Sequence, residues 1–235
     1  MKKLFLLLLV AGLNSETQLV SINVGGAQLS GVMKLMFVMT LLSFGPAIVM
    51  TMTSFTRLII IFSLLRTALG LQGAPPNLVL TGLALFLTFS LMSPVLEKSY
   101  TEGIKPFLEG SASDSESLKK AVLPFKQFML QNTREKDLDL FVNLSKTNPG
   151  SKEELPLSVV LPAFVISEMT MAFSIGFLIA IPFLIVDLVI ASVLASMSMI
   201  TLPPIVISLP IKLMLFVMVD GWNLVISNIL ESYSL

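Results

Sequence analysis

The sequence predicts an all-α integral membrane protein, with long kinked and broken hydrophobic helices and a small helical insertion exposed to water. Three observations predict it. Of 235 residues, 54% are hydrophobic and only 13% charged, with a mean hydropathy of +0.89, whereas a soluble domain is about a quarter charged. Two runs of span length, Leu35 to Thr56 and Leu78 to Leu96, contain no charge, and about 20 apolar residues cross ~30 Å of hydrocarbon as a helix. Finally, 19 of the 30 charges fall between Glu97 and Glu154, which confines the water-seeking chemistry to one insertion.

Composition also bounds function. The formal net charge is zero, so bulk charge gives no reason to expect nucleic-acid binding. With neither Cys nor His in the chain, thiolate nucleophiles, zinc–thiolate sites, disulfides and Ser–His arrangements are excluded. A Ser–Lys pair or an all-carboxylate site would remain, but no spacing points to either. The expectation is a protein that is not an enzyme and holds no metal or cofactor.

Taken in order, residues 1–15 (MKKLFLLLLVAGLNS) place two lysines before an apolar run of about ten residues and then small polar residues, the layout of a signal peptide with a break near Ser15; an uncleaved anchor is the alternative. Residues 16–96 form an N-terminal hydrophobic region. Its first span, Leu35 to Thr56, is expected to kink at Gly45–Pro46. Arg57 and Arg66 follow, nine residues and about 900° of helix apart, so they project to opposite faces, and one or both are expected to mark the cytoplasmic side. The stretch LQGAPPN breaks the chain before the second span. Residues 97–154 mix apolar residues at three- and four-residue spacing with nine basic and ten acidic ones, which predicts short amphipathic helices in an extracytoplasmic insertion. GSASDSES and KTNPGSKEE read as its loops.

Residues 155–235 are apolar again, with isolated charges at Glu168, Asp187, Lys212 and Asp220. Glu168, Ala172, Gly176 and Ala180 recur at four-residue steps, one helical stripe of small side chains headed by a carboxylate. Such stripes permit close approach of membrane helices, either within the chain or between subunits. Lys212 and Asp220 stand about 80° and ~12 Å apart on a helix, too far for a direct hydrogen bond. Partners on other helices or water are expected, with a proton relay as the alternative. Met197 and Met199 precede Leu202-Pro203-Pro204, where flexible thioethers can fill an irregular gap. Pro203, Pro204 and Pro210 are expected to break the helix there.

Two stretches carry a resemblance: MTSFTRLIIIFSLLRTALGLQGAPPNLVLTGLALFLTFSLMSPV from Met52, and PAFVISEMTMAFSIGFLIAIPFLIVDLVIASVLASMSMITLPPIVISLPIKLMLFVMVDGWNLV from Pro162. Both closely resemble the FliP family, the flagellar biosynthetic protein of the type III export gate. The resemblance implies a noncatalytic pore-forming subunit. Several copies assemble with small Q and R components into a helical oligomer that passes unfolded flagellar subunits through its centre. It also implies other export-apparatus and basal-body partners, and a bacterial inner-membrane location within the flagellar basal body, with the gate reaching the periplasmic side. In the family a run of methionines before Pro-Pro forms a gasket around the pore; here the stretch is Met199-Ile200-Thr201-Leu202, with only the first methionine kept. By that resemblance Met197, Met199, Ile200, Thr201 and Leu202 form the pore seal, and Arg57, Arg66, Glu168, Asp187, Lys212 and Asp220 are polar groups shielded by packed helices or subunits. An injectisome export-gate subunit is the nearest alternative, since injectisome components share both stretches. A proton-coupled secondary transporter, which also uses broken helices, lacks support from any internal repeat.

Overall fold

The computed structural model describes residues 23–24, 27–28, 36, 39–40, 43–108, 114–145, 151–199 and 201–233. The signal-like residues 1–15 and Ile200 lie outside them. The chain divides into two compact units, Met1–Gly45 and Pro46–Leu235. In the first, β1 (Asn23–Val24) pairs antiparallel with β2 (Ala27–Gln28). This is a two-residue ladder, and the other elements among the described residues are helical.

The second unit is built on α2. Helix α1 (Gly45–Met52) and α2 (Phe55–Ala68) meet at a 77° bend. The Thr53 hydroxyl makes the corner: it donates to the Val49 carbonyl and accepts the Phe55 N–H at 3.3 Å, replacing ladder bonds. The uncharged run to Thr56 is therefore not one straight helix. A sharp corner interrupts it at Thr53–Ser54, and Arg57 lies inside the next helix.

Helix α3 (Asn77–Ser99) covers the expected second span, then continues past the onset of charge as a π-helical turn, Tyr100–Ile104, and α4 (Lys105–Leu108). Gly103 permits that turn to touch α5, since a Cβ there would lie 2.4 Å from the Ala121 backbone nitrogen. The insertion forms amphipathic helices as expected: α5 (Asp114–Asn132) and α6 (Glu135–Ser145), followed by a 3₁₀ turn at Lys152–Glu154. Both helices pack on α7, and α5 also packs on α3.

Helix α7 (Leu157–Ser196) runs 40 residues, ~60 Å, with Pro162 and Pro182 inside it and no interruption at either. Helices α8 (Pro204–Met218) and α9 (Gly221–Glu231) close the chain with a 65° bend between them. The core lies where α2 meets α7, around Leu58, Ile61, Phe62, Val160, Phe164 and Ala172. Asn77–Ile104 and Leu157–Ser196 are long and apolar enough to cross a membrane, and the two bent pairs could each supply a further span.

Pro210 corrects one expectation, because it sits inside α8 without breaking it. A single interior proline removes one backbone donor and bends a helix rather than ending it when surrounding packing holds both sides.

Candidate functional site

One buried charge cluster, one half-buried charge cluster and one exposed loop gather most of the residues singled out in the sequence. In the first cluster Arg57 projects from α2 onto Glu168 of α7, both essentially inaccessible to solvent. Arg57 Nε donates to Glu168 Oε2 at 3.1 Å, while Nη2 donates to Oε1. This planar two-point pairing is one that Arg makes and Lys cannot. Arg57 Nη1 donates to the carbonyl and hydroxyl oxygens of Ser232, at 3.1 and 2.9 Å. The Tyr233 hydroxyl donates to Glu168 Oε2 at 2.7 Å, and the guanidinium lies 3.8 Å from the centroid of the Tyr233 ring. Two charges withdrawn from water persist only when hydrogen bonds occupy their remaining polar atoms, and the carboxyl end of the chain supplies them. Arg57 is thus interior to the fold.

The small stripe continues from Glu168. Ala172 and Gly176 are buried against α2, and a Cβ on Gly176 would lie 2.4 Å from Leu64 Cδ1 and 3.1 Å from its Cβ. Of the two readings of the stripe, packing within the chain is the one realised at these positions. Ala180 is only half-buried.

The second cluster pins the α7–α8 hairpin. Lys212 Nζ, buried, donates to Asp187 Oδ2 at 2.5 Å and to the Ala68 carbonyl at 3.0 Å. Its partners are on other helices, as its separation from Asp220 required. Asp220 itself is exposed on the chain, in a left-handed conformation (φ +50°) at the α8–α9 corner, and accepts from Asn223 Nδ2 at 3.2 Å. Short polar side chains tolerate that conformation, so Asp220 shapes a turn rather than filling a buried site. Arg66 is half-buried and clamps the loop before α3, donating to the Pro75 carbonyl and to Asn77 Oδ1 at 3.2 and 2.6 Å.

Between the arms of that hairpin runs the candidate seal. Met197 and Met199 are exposed, Thr201 is exposed and Leu202 half-buried. Ser198 reverses the chain with φ +58°. Pro203 precedes α8 in an extended conformation and Pro204 opens it, a position that suits proline because its missing N–H would have no helical partner.

Sequence reasoning missed two groups. Ser232 and Tyr233 lie 175 and 65 residues from the partners they serve; nothing local marks them. It also missed a joint between insertion and span, where Asp137 Oδ2 accepts from Ser167 Oγ at 2.6 Å and Arg134 Nε at 2.7 Å, and the Arg134 N–H donates to Ser167 Oγ at 3.1 Å. Burial pushes the Asp137 carboxyl up, but the Ser167 and Arg134 hydrogen bonds and the charges of Arg134 and Lys136 outweigh it, leaving the pKa below its ordinary value.

The family model described as "FliP family" matches residues 38–229, which include Arg57, Glu168, Asp187, Lys212 and the loop but not Ser232 and Tyr233. The chain belongs to the FliP family. It is 53% identical over 217 residues to the flagellar biosynthetic protein FliP of Caulobacter vibrioides, covering 91% of this chain and 82% of that one. The FliP of Bacillus subtilis is 49% identical over 205 residues, 87% of this chain and 93% of the relative. The Aquifex aeolicus FliP aligns over 99% of both chains at 44% identity. Family membership agrees with the apolar helices in pointing to a membrane component of flagellar biosynthesis rather than an enzyme.

Proposed function

We propose that this chain is a pore-forming core subunit of the flagellar type III export gate, and that residues 197–202 close its pore. Membership of the FliP family carries the reading of the chain. The loop's part in it is supported by the exposed Met197 and Met199, held at the tip of a hairpin whose arms are tied by Asp187 and Lys212. An apolar constriction closes a pore by excluding water, and thioethers reshape as a chain passes. Copies of the subunit assemble with the small Q and R components and other export-apparatus proteins, in the bacterial inner membrane and basal body, with the gate reaching the periplasmic side. Unfolded flagellar subunits are the cargo. The flagellar names of the relatives favour this branch over the injectisome one.

Replacing Met199 and Ile200 together with Gly leaves the gate assembled but lets small ions leak across the membrane of cells expressing the complete apparatus. Dye or ion uptake measures the leak, and export of flagellar subunits is followed alongside. An assembled double-Gly gate with normal impermeability would place the seal elsewhere.

A further inference from the structure

The last helix has the parts of a strap: a corner at one end, a fastening at the other, and an apolar cavity between. We propose that α9 is a hinged strap over this cavity, held shut by Ser232 and Tyr233. The corner is Val219–Asp220, where the left-handed Asp220 turns the chain by 65°. Gly221 follows and has no room for a side chain, because a Cβ would meet the Phe216 ring at 2.3 Å. The cavity, about 600 Å³, lies between α7, α8 and α9 and is lined by Ile179, Phe183, Leu215, Val225, Asn228 and Ser232 among others.

The fastening engages three elements besides α9. Arg57 of α2 takes the Ser232 carbonyl and hydroxyl, Glu168 of α7 takes the Tyr233 hydroxyl, and Phe128 of α5 stacks on the Tyr233 ring at 6.0 Å. The Ser232 hydroxyl also donates to the Ile229 carbonyl at 2.6 Å, so the group that receives Arg57 is itself tied to the end of the strap. Along its length α9 buries Val225 and Ile229, and near the hinge Trp222 meets Phe62 edge-on at 6.4 Å. Polar contacts with a buried ion pair thus concentrate at the end of α9 away from the corner. Loss of those contacts releases the strap locally, before the rest of the fold opens.

The chain contains no cysteine, so one introduced thiol reports on one position. In the detergent-solubilised full-length protein, Val225→Cys places a thiol on the buried, cavity-facing side of α9, and Ala84→Cys places one in the α3 core. Maleimide labelling of Val225→Cys accelerates by about tenfold or more when Tyr233→Ala is added, the scale set by a lost buried hydrogen bond to a charged group. Tyr233→Phe, which keeps the ring over Arg57, gives a smaller acceleration. Ala84→Cys stays slow in both backgrounds. Unchanged labelling of Val225→Cys overturns the strap. So does equal acceleration at Ala84→Cys, which would mean that the whole fold had loosened, and so does a Tyr233→Phe variant with no effect, which would leave the hydrogen bond to Glu168 holding nothing.

Discussion

The two halves of α7 have similar composition and opposite surroundings. From Leu157 to Gly176 it buries Val159, Val160, Ala163, Phe164, Ser167, Glu168, Ala172 and Gly176 against its own chain. From Phe177 to Ser196 only Phe183 and Leu194 are buried, while Phe177, Leu178, Leu184, Leu188 and Val193 are exposed. One half is a core helix that satisfies two carboxyl groups, its own Glu168 and Asp137 of the insertion. The other is an apolar rod whose single charge, Asp187, pairs with Lys212. Hydropathy does not separate them, because lipid-facing, subunit-facing and core-facing surfaces are equally apolar. Close approach does: Gly176 in the first half meets Leu64 of α2, where a side chain would not fit.

The largest effect that would sharpen this contrast is expected from Glu168→Ala. It leaves Arg57 buried without its counter-ion, a loss of ~3–5 kcal/mol, or roughly 6–20 °C in thermal midpoint for a domain of this size. Scanning calorimetry or fluorimetry in detergent measures it. A midpoint within 2–3 °C of the unaltered protein, on the order of 1 kcal/mol, would mean that the ion pair does not organise this half.

A smaller effect is expected from Gly176→Leu, which forces a side chain onto Leu64 and costs ~1–3 kcal/mol through overpacking, lowering the midpoint of the isolated subunit itself. Leu188→Ala, at an exposed position on the bare half, leaves that midpoint within about 0.5 kcal/mol and acts instead on oligomer size in native mass spectrometry. Equal destabilisation by both changes would erase the distinction between the halves.

The smallest effect concerns acid. The Asp137 pKa is depressed in the folded chain, so its contribution is fully present above the ordinary value of 3.8 and is lost as pH falls through the folded value. Stability measured by protease resistance of the insertion is therefore flat in this respect from neutral pH to about 4 and declines below it. Asp137→Asn removes that part of the acid decline. If the variant keeps the full decline, the Asp137–Ser167–Arg134 joint is not its source.

Much of this was legible in the sequence, for local reasons. Span length, charge confinement and three- to four-residue spacing are properties of neighbouring residues, and they predicted α3, α5, α6 and the small stripe on α7. Arg57, Glu168, Asp187 and Lys212 stood out as charges in apolar surroundings. Their pairing did not, because Arg57 and Glu168 are 111 residues apart and one sequence carries no information on contacts at that distance. The 77° corner was missed for a different reason: Thr53 makes it with a side-chain hydrogen bond, and threonine is common in helices that do not bend. Pro210 misled in the other direction, since the rule for an isolated helix overstates what one lost donor does inside a packed one.

The carboxyl-terminal fastening also has a consequence in time. Arg57 and the Ser232 that receives it are separated by 175 residues, and chains are made at about 5–20 residues per second, so roughly 9–35 s pass between the appearance of the guanidinium and that of its last partner. Glu168 arrives about two-thirds of the way through. Until Glu168 appears, the arginine of α2 lacks the carboxylate that pairs with it in the folded chain and is met by water or other polar groups. The order of synthesis thus leaves Ser232 and Tyr233 to complete the hydrogen-bond shell of the Arg57–Glu168 pair well after the pair itself can form.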